Sequence, residues 1–395
     1  MRINKACQRG EKIGEKYSEI EHNGNDKMKP LGIYIHVPFC VSKCGYCGFY
    51  SHVGTQKDYE DYTEKAVNSI KQSKVSAESF YVDSIFFGGG TPSILSPSMI
   101  ERILESLYSK FRITGDVEIT VESNPGTLTF DKLKCYKSLG VNRLSLGVQS
   151  FSDEELKFIG RIHNSETARD TIGLCRDVGF ENINLDLIFS LPGQMLEGWQ
   201  KNLKEAVMLE PEHVSAYGLQ LEEGTDFFKR FQAGEFSETT DELDRKMYHL
   251  TCEYLKKSGF NHYEISNWAK PSFECRHNLK YWTFQDYLGI GPSASSFING
   301  TRFNVNENWS TCDMHLNSLK DSAGEFSFTA LRTKDGIDFE IFEKKIGVPF
   351  WSVYGEQREK IEKLSGEGLI DLDKRGLRLT SRGIDISNGI MSIFV

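Results

Sequence analysis

Cys40, Cys44 and Cys47 fall within eight residues of the stretch YIHVPFCVSKCGYCGFYS (residues 34–51), at the spacing C-x3-C-x2-C. Thiolates on so short a loop all reach one metal centre. Four-iron clusters normally take four cysteines, so three leave one iron without a protein ligand and open to a small molecule. An open iron means chemistry rather than electron storage. The same residues also allow a structural zinc site completed by His36 or His52, because Cys3His is a closed zinc set, although zinc knuckles more often show paired C-x2-C units.

The elements that must position this loop are read from periodicity. Short β-rich runs at Gly32 to His36, Asp83 to Phe87, Val117 to Glu122, Arg143 to Val148, Asn182 to Leu187 and His213 to Leu219 alternate with longer segments of helical period. Those segments are Pro97 to Tyr108, Asp131 to Leu139, Ser165 to Val178 and Leu196 to Leu209. Six β-then-α units in a row predict a parallel sheet, open or closed into a barrel. In such a fold the ligand site forms at the carboxyl ends of the strands. Here the first strand runs into the cysteine loop, the second into Gly88, Gly89, Gly90, Thr91 and Pro92, and the third into Glu122, Ser123 and Asn124. The fourth ends in Gly147, Val148 and Gln149, and the fifth carries Asp186. Any one of these alone is ordinary turn chemistry; five at the same end of one sheet describe a site.

The cysteine loop, with Tyr46 ahead of its last cysteine, resembles that of the radical S-adenosylmethionine (SAM) superfamily. Members hold a [4Fe-4S] cluster on Cys residues so spaced and let the methionine moiety of SAM chelate the free iron. The resemblance runs from about residue 31 to the C-terminus and implies an α/β fold, a partial (β/α)6 TIM-like barrel. It also implies roles. By similarity to the branch around the oxygen-independent coproporphyrinogen III oxidase, the Gly88-Gly89-Gly90-Thr91 turn would meet the SAM amino group. Glu122 would bind the ribose hydroxyls, Gln149, Arg161 and Asp186 would line the rest of the pocket, and Tyr34 would lie against the cluster. These assignments suit the side chains: a carboxylate accepts from a diol, and a guanidinium forks onto a carboxylate.

Two features choose between branches. The oxidase carries a further cysteine two residues past the third, where this chain has Cys47-Gly48-Phe49. The segment Cys275-Arg276-His277-Asn278-Leu279-Lys280-Tyr281-Trp282 contains an H-N-x-x-Y-W string that resembles the signature of the HemW haem chaperones. That resemblance implies a protein that binds haem and hands it to respiratory haem proteins rather than a coproporphyrinogen oxidase. It also implies a haem site, with His277 as a candidate iron ligand, Asn278 beside it, Tyr281 and Trp282 as an apolar wall, Arg276 and Lys280 facing the propionates, and Cys275 as a second candidate ligand. A buried aromatic pair beside a hydrogen-bonded histidine is equally an everyday core arrangement. The oxidase, performing radical oxidative decarboxylation, remains the alternative reading.

With 395 residues, 39% of them apolar and 12% aromatic, the chain has material for two or three domains. A net charge of -9 disfavours nucleic acid as a main partner. Nine cysteines, scattered outside the loop, give no disulfide framework and suggest a reducing, cytoplasmic setting. No apolar run reaches membrane-spanning length, so the expectation is a protein not integral to a membrane, at most peripheral at its inner face. Residues 1–30, rich in alternating charge, read as a leader, residues 31–300 as the radical SAM core with its haem-motif extension, and residues 301–395 as a separate C-terminal module. In the last, helices at Ile337 to Ile346 and Val353 to Leu364, a hairpin around Lys374-Arg375-Gly376 and a final helix predict a winged-helix-like unit. From residue 331 onward 11 Lys plus Arg stand against 11 Asp plus Glu, which predicts contact with the barrel or a partner rather than DNA.

Overall fold

Six strands lie side by side in chain order, each parallel to the next: β1 (Lys29–Val37), β2 (Phe80–Gly89), β3 (Arg112–Ser123), β4 (Arg143–Gln149), β5 (Ile183–Phe189) and β6 (His213–Gly218). The structure, a computed structural model, describes residues 28–395. The leader expected at residues 1–30 lies outside the described residues except for its end, where Lys29 and Pro30 already belong to β1. Along the strands one set of alternate residues, including Ile33, Ile35, Ile85, Phe87, Ile119, Val121, Leu144, Leu146, Leu185 and Leu187, joins the main apolar core. The other set, Tyr34, Ser84, Glu118, Glu122, Ser145 and Asp186, turns to the barrel interior. A period of two on strands covered by helices on one side explains both sets.

The covering helices are α1 (Gln56–Gln72), α2 (Pro97–Lys110), α3 (Phe130–Ser138), α4 (Asp153–Phe158), α5 (Ser165–Asp177), α6 (Leu196–Met208), α7 (Asp226–Gln232) and α8 (Asp241–Lys257). α1 and α8 were not legible as periodic segments. α1 nevertheless carries a full capping box, Thr55 with Asp58, which fixes its start.

The sheet does not close. Beyond β6 it continues through antiparallel β7 (Asn261–Glu264) and β8 (Asn267–Ala269). Beyond β1 it continues through parallel β9 (Tyr287–Ile290) and antiparallel β10 (Ser295–Ile298), β11 (Thr301–Val305) and β12 (Thr311–Leu316). The result is the open, partial barrel expected. The domain boundary expected at residue 301 is corrected by β11 and β12, which extend the same sheet to Leu316. β12 is an exposed edge strand with no apolar face turned to a core, so its composition mimics that of a new domain.

A second apolar core then forms around Phe326, Phe342, Phe350, Tyr354, Leu377 and Phe394. It gathers α10 (Leu319–Ala330), β13 (Ile337–Asp338), α11 (Phe339–Ile346), α12 (Phe350–Tyr354), α13 (Arg358–Gly366), β14 (Ile370–Leu372) and β15 (Gly376–Leu379), with the three strands in the order β13-β15-β14. This is a winged-helix-like arrangement. Ile337, expected to open a helix, instead pairs with Leu377, and Asp338 caps α11 by accepting from the Ile341 N–H at 2.8 Å. Among the described residues no helix is long and apolar enough to cross a membrane.

Candidate cofactor cleft and the stopper beneath it

The cysteine loop leaves β1 and is pinned at both ends, because Phe39–Cys40 and His52–Val53 pair as a short parallel ladder. The glycine turn after β2 is stitched to it: Gly90 N–H donates to the Val37 carbonyl at 2.8 Å and Thr91 N–H to the Phe39 carbonyl at 2.7 Å. A side chain at Gly90 would place its Cβ 2.5 Å from the Phe39 carbonyl oxygen and 3.0 Å from Cys40 Sγ, so only glycine permits this approach. Thr91 Oγ1 lies 3.5 Å from Cys40 Sγ and accepts from Asn124 Nδ2 at 2.8 Å. Arg161 continues the chain of contacts. Its Nη2 donates to Asn124 Oδ1 and to the Gly147 carbonyl, both at 2.6 Å, and its Nη1 sits 3.5 Å from Cys44 Sγ. One guanidinium thereby ties the ends of β3 and β4 to the cysteine loop.

The zinc alternative fares poorly here. His36 is 6% exposed, with Nδ1 at 3.1 Å from Tyr34 Oη and Nε2 at 3.0 Å from the Tyr50 carbonyl, so neither nitrogen is free. His52 packs edge-on against Phe39. Among the described residues no three His, Cys, Asp or Glu side chains converge on a single ion position. Cys40, Cys44 and Cys47 instead all border one cleft of about 560 Å³, the disposition that suits a multi-iron group. Burial pushes the Cys47 thiol up, the Phe49 N–H opposes this, and the nearby Cys44 and Cys40 add to it. Crowded thiolates of this kind are relieved by a cationic centre.

The cleft floor is acidic. Glu122 Oε2 accepts from the Gly89 N–H at 3.2 Å, and burial, followed by repulsion from Asp186, pushes its carboxyl up to about 8. Asp186 is also raised by burial but is held by Asn184 Nδ2 at 2.8 Å and Ser145 Oγ at 3.0 Å. Gln149 ends β4 with a left-handed φ of 69° and borders the cleft. Of the residues expected around SAM, Gly89, Gly90, Thr91, Glu122, Gln149, Arg161 and Asp186 border this space, whereas Tyr34 and Gly88 do not. Sequence reasoning missed Tyr217, near the end of β6, Gln220 and Glu222, which follow it, and Arg332, which arrives just past the end of α10. No local signal marks any of them.

The H-N-x-x-Y-W segment lies elsewhere. It forms α9 (Arg276–Trp282), whose first N–H groups are capped from β3: Glu118 accepts from Arg276 N–H and His277 N–H, each at 3.2 Å. Glu118 and Ser84 precede Glu122 and Gly88 by four residues, about 13 Å down the strands, so α9 stops the amino end of the barrel. His277 is 0% exposed, with Nδ1 at 3.0 Å from Ser84 Oγ, Nε2 at 2.8 Å from Tyr281 Oη and its ring stacked on Phe86. Burial, then Lys280 and Arg143, push its pKa down to about 3.

The haem-site expectation is therefore corrected in its geometry. An imidazole with both nitrogens engaged has no lone pair for iron. Lys280 pairs with Asp83 at 2.7 Å, and Arg276 binds Asp116 at 3.1 Å and the Asp83 carbonyl at 2.7 Å, so neither cation is free for a propionate. Trp282 has a ring face covered by Arg332 at 4.5 Å. Burial lifts the Cys275 thiol to about 12, which keeps it protonated rather than ligating. Asn278 is half-buried on the same helix.

Residues 34–206 match the model of the radical SAM superfamily, and residues 317–386 match the HemN C-terminal domain, which begins where the main sheet ends. Over 381 residues the chain is 34% identical to heme chaperone HemW of Lactococcus lactis, covering 93% of this chain and 98% of that one. The chain belongs to the HemW family. The HemW of Escherichia coli is 40% identical over 269 residues, 68% of this chain and 70% of that one. Among solved structures, coproporphyrinogen III oxidase (HemN) from Escherichia coli, a radical SAM enzyme, matches with a TM-score of 0.79 at 24% identity, covering 93% of this chain and 90% of that one. That likeness establishes a shared fold for this HemW family member.

Proposed function

We propose that this chain binds haem and delivers it to haem proteins of the respiratory chain, from the cytoplasmic side, on a scaffold that carries a [4Fe-4S] cluster and SAM. The observation that carries the reading is 33–34% identity, over more than nine-tenths of the chain, to proteins named heme chaperone. Cys40, Cys44 and Cys47 would hold the cluster, which when bound supplies an open iron for the methionyl group of SAM and an electron. Glu122 would accept from the ribose, the Gly89-Gly90-Thr91 turn would face the amino group, and Gln149, Arg161 and Asp186 would close the pocket. Phe49, 68% exposed at the cleft mouth, stands where the oxidase has its extra cysteine and offers apolar surface instead of a ligand. This favours the chaperone over decarboxylation.

The test is a haem titration beside a decarboxylation assay on one anaerobically reconstituted sample. The reading expects saturable haem binding and no carbon dioxide from coproporphyrinogen III with SAM and reductant. The reverse pattern would overturn it.

A further inference from the structure

We infer that Arg332 anchors a haem carboxylate at the β6 side of the cleft, where Tyr217 and Phe49 supply the apolar walls. The inference rests on the haem reading and replaces the α9 site, which is closed by packing.

Arg161 and Arg332 are the cations among the described residues that border the cleft. Arg161 is spent on Asn124, Gly147 and Cys44. Arg332 keeps 24% of its side chain exposed at the cleft, with Nη2 meeting Glu264 Oε2 at 3.3 Å and Cζ over the Trp282 ring at 4.5 Å. A guanidinium stacked on an aromatic ring keeps its fork rigid and its outer edge available for a carboxylate.

The surroundings suit a flat ligand with acidic arms. Tyr217 is 41% and Phe49 68% exposed, both bordering the same space. Large aromatic rings left open to solvent beside a cation mark a surface for an apolar ligand carrying negative charge. The backbone fixes Arg332 there: its carbonyl accepts from Ile265 N–H at 3.0 Å, and Thr333 bridges to Glu264. The joint with the C-terminal module thus completes the cleft, and Trp282 serves the site by holding Arg332 rather than by touching haem.

The experiment compares haem with haem dimethyl ester, whose carboxylates are blocked, in Soret titrations of the reconstituted full-length protein. The unaltered chain should bind the ester about tenfold more weakly, in line with the loss of a hydrogen bond to a charged group. Arg332→Ala should lower haem affinity about tenfold and erase the difference between acid and ester, and Arg332→Lys should recover part of it. SAM affinity should not change. Equal binding of acid and ester by the unaltered chain would overturn the inference without any variant having to fold, while leaving the haem reading intact. So would an Arg332→Ala variant that loses SAM but not haem. Failure of the unaltered chain to bind either porphyrin would remove the haem reading, and the inference with it.

Discussion

Glu122 and His277 are perturbed in opposite directions, and each gives a pH signature. The Glu122 carboxyl is pushed from 4.5 to about 8 by burial and by Asp186. The folded protein thus keeps a proton that the unfolded chain releases, and its stability falls as pH rises through that window. In cluster-free protein, Tm should decline between about pH 5 and pH 8, and Glu122→Gln should flatten the decline; parallel curves would contradict the assignment. His277, lowered from 6.5 to about 3, works the other way, its contribution being lost as pH falls below 6.5. His277→Ala should cost roughly 2–4 kcal/mol, the range for a buried side chain that also loses its hydrogen bonds. It should leave the Soret band of haem-loaded, folded protein in place, and a shifted band would restore the histidine as an iron ligand. The two residues also show what a sequence discloses. Cys40, Cys44, Cys47 and Glu122 were legible because strand-end chemistry is written in contiguous motifs. The place of His277 was not, because helical spacing says which residues share a face but not what that face meets. Its partners Ser84 and Glu118 lie 193 and 159 residues away.

At the scale of elements, the six parallel strands were legible to within a few residues because each is an apolar run closed by a distinctive turn. The additions at both sheet edges were not, since β7 to β12 are short or exposed and carry little pattern. Gly291, at the end of the string Asp286-Tyr-Leu-Gly-Ile-Gly, shows how one such addition is held. It adopts a φ of 106°, and a Cβ there would lie 2.5 Å from the His36 carbonyl oxygen, against the root of the cysteine loop. Gly291→Ala should cost about 1–3 kcal/mol, the range for a residue forced into a sparsely populated backbone region. It should also reduce the iron retained after reconstitution, as read by iron and sulfide analysis alongside thermal unfolding. Wild-type stability with full iron content would show that β9 does not constrain the loop.

For the whole molecule, the boundary after Leu316 and the return of Arg332 to the cleft make the C-terminal module part of the site rather than an appendage. A composition shift at residue 301 suggested otherwise, because an exposed edge strand and a domain linker share the same polar composition. The cysteine loop, the acidic floor and Arg332 surround one opening, with α9 as the stopper below. Haem binding is tested by titrating haem into anaerobically reconstituted, full-length protein while following the Soret band. Stoichiometric, saturable binding with the cluster intact is expected. Absence of saturable binding, with carbon dioxide released from coproporphyrinogen III in the presence of SAM and reductant, would contradict it.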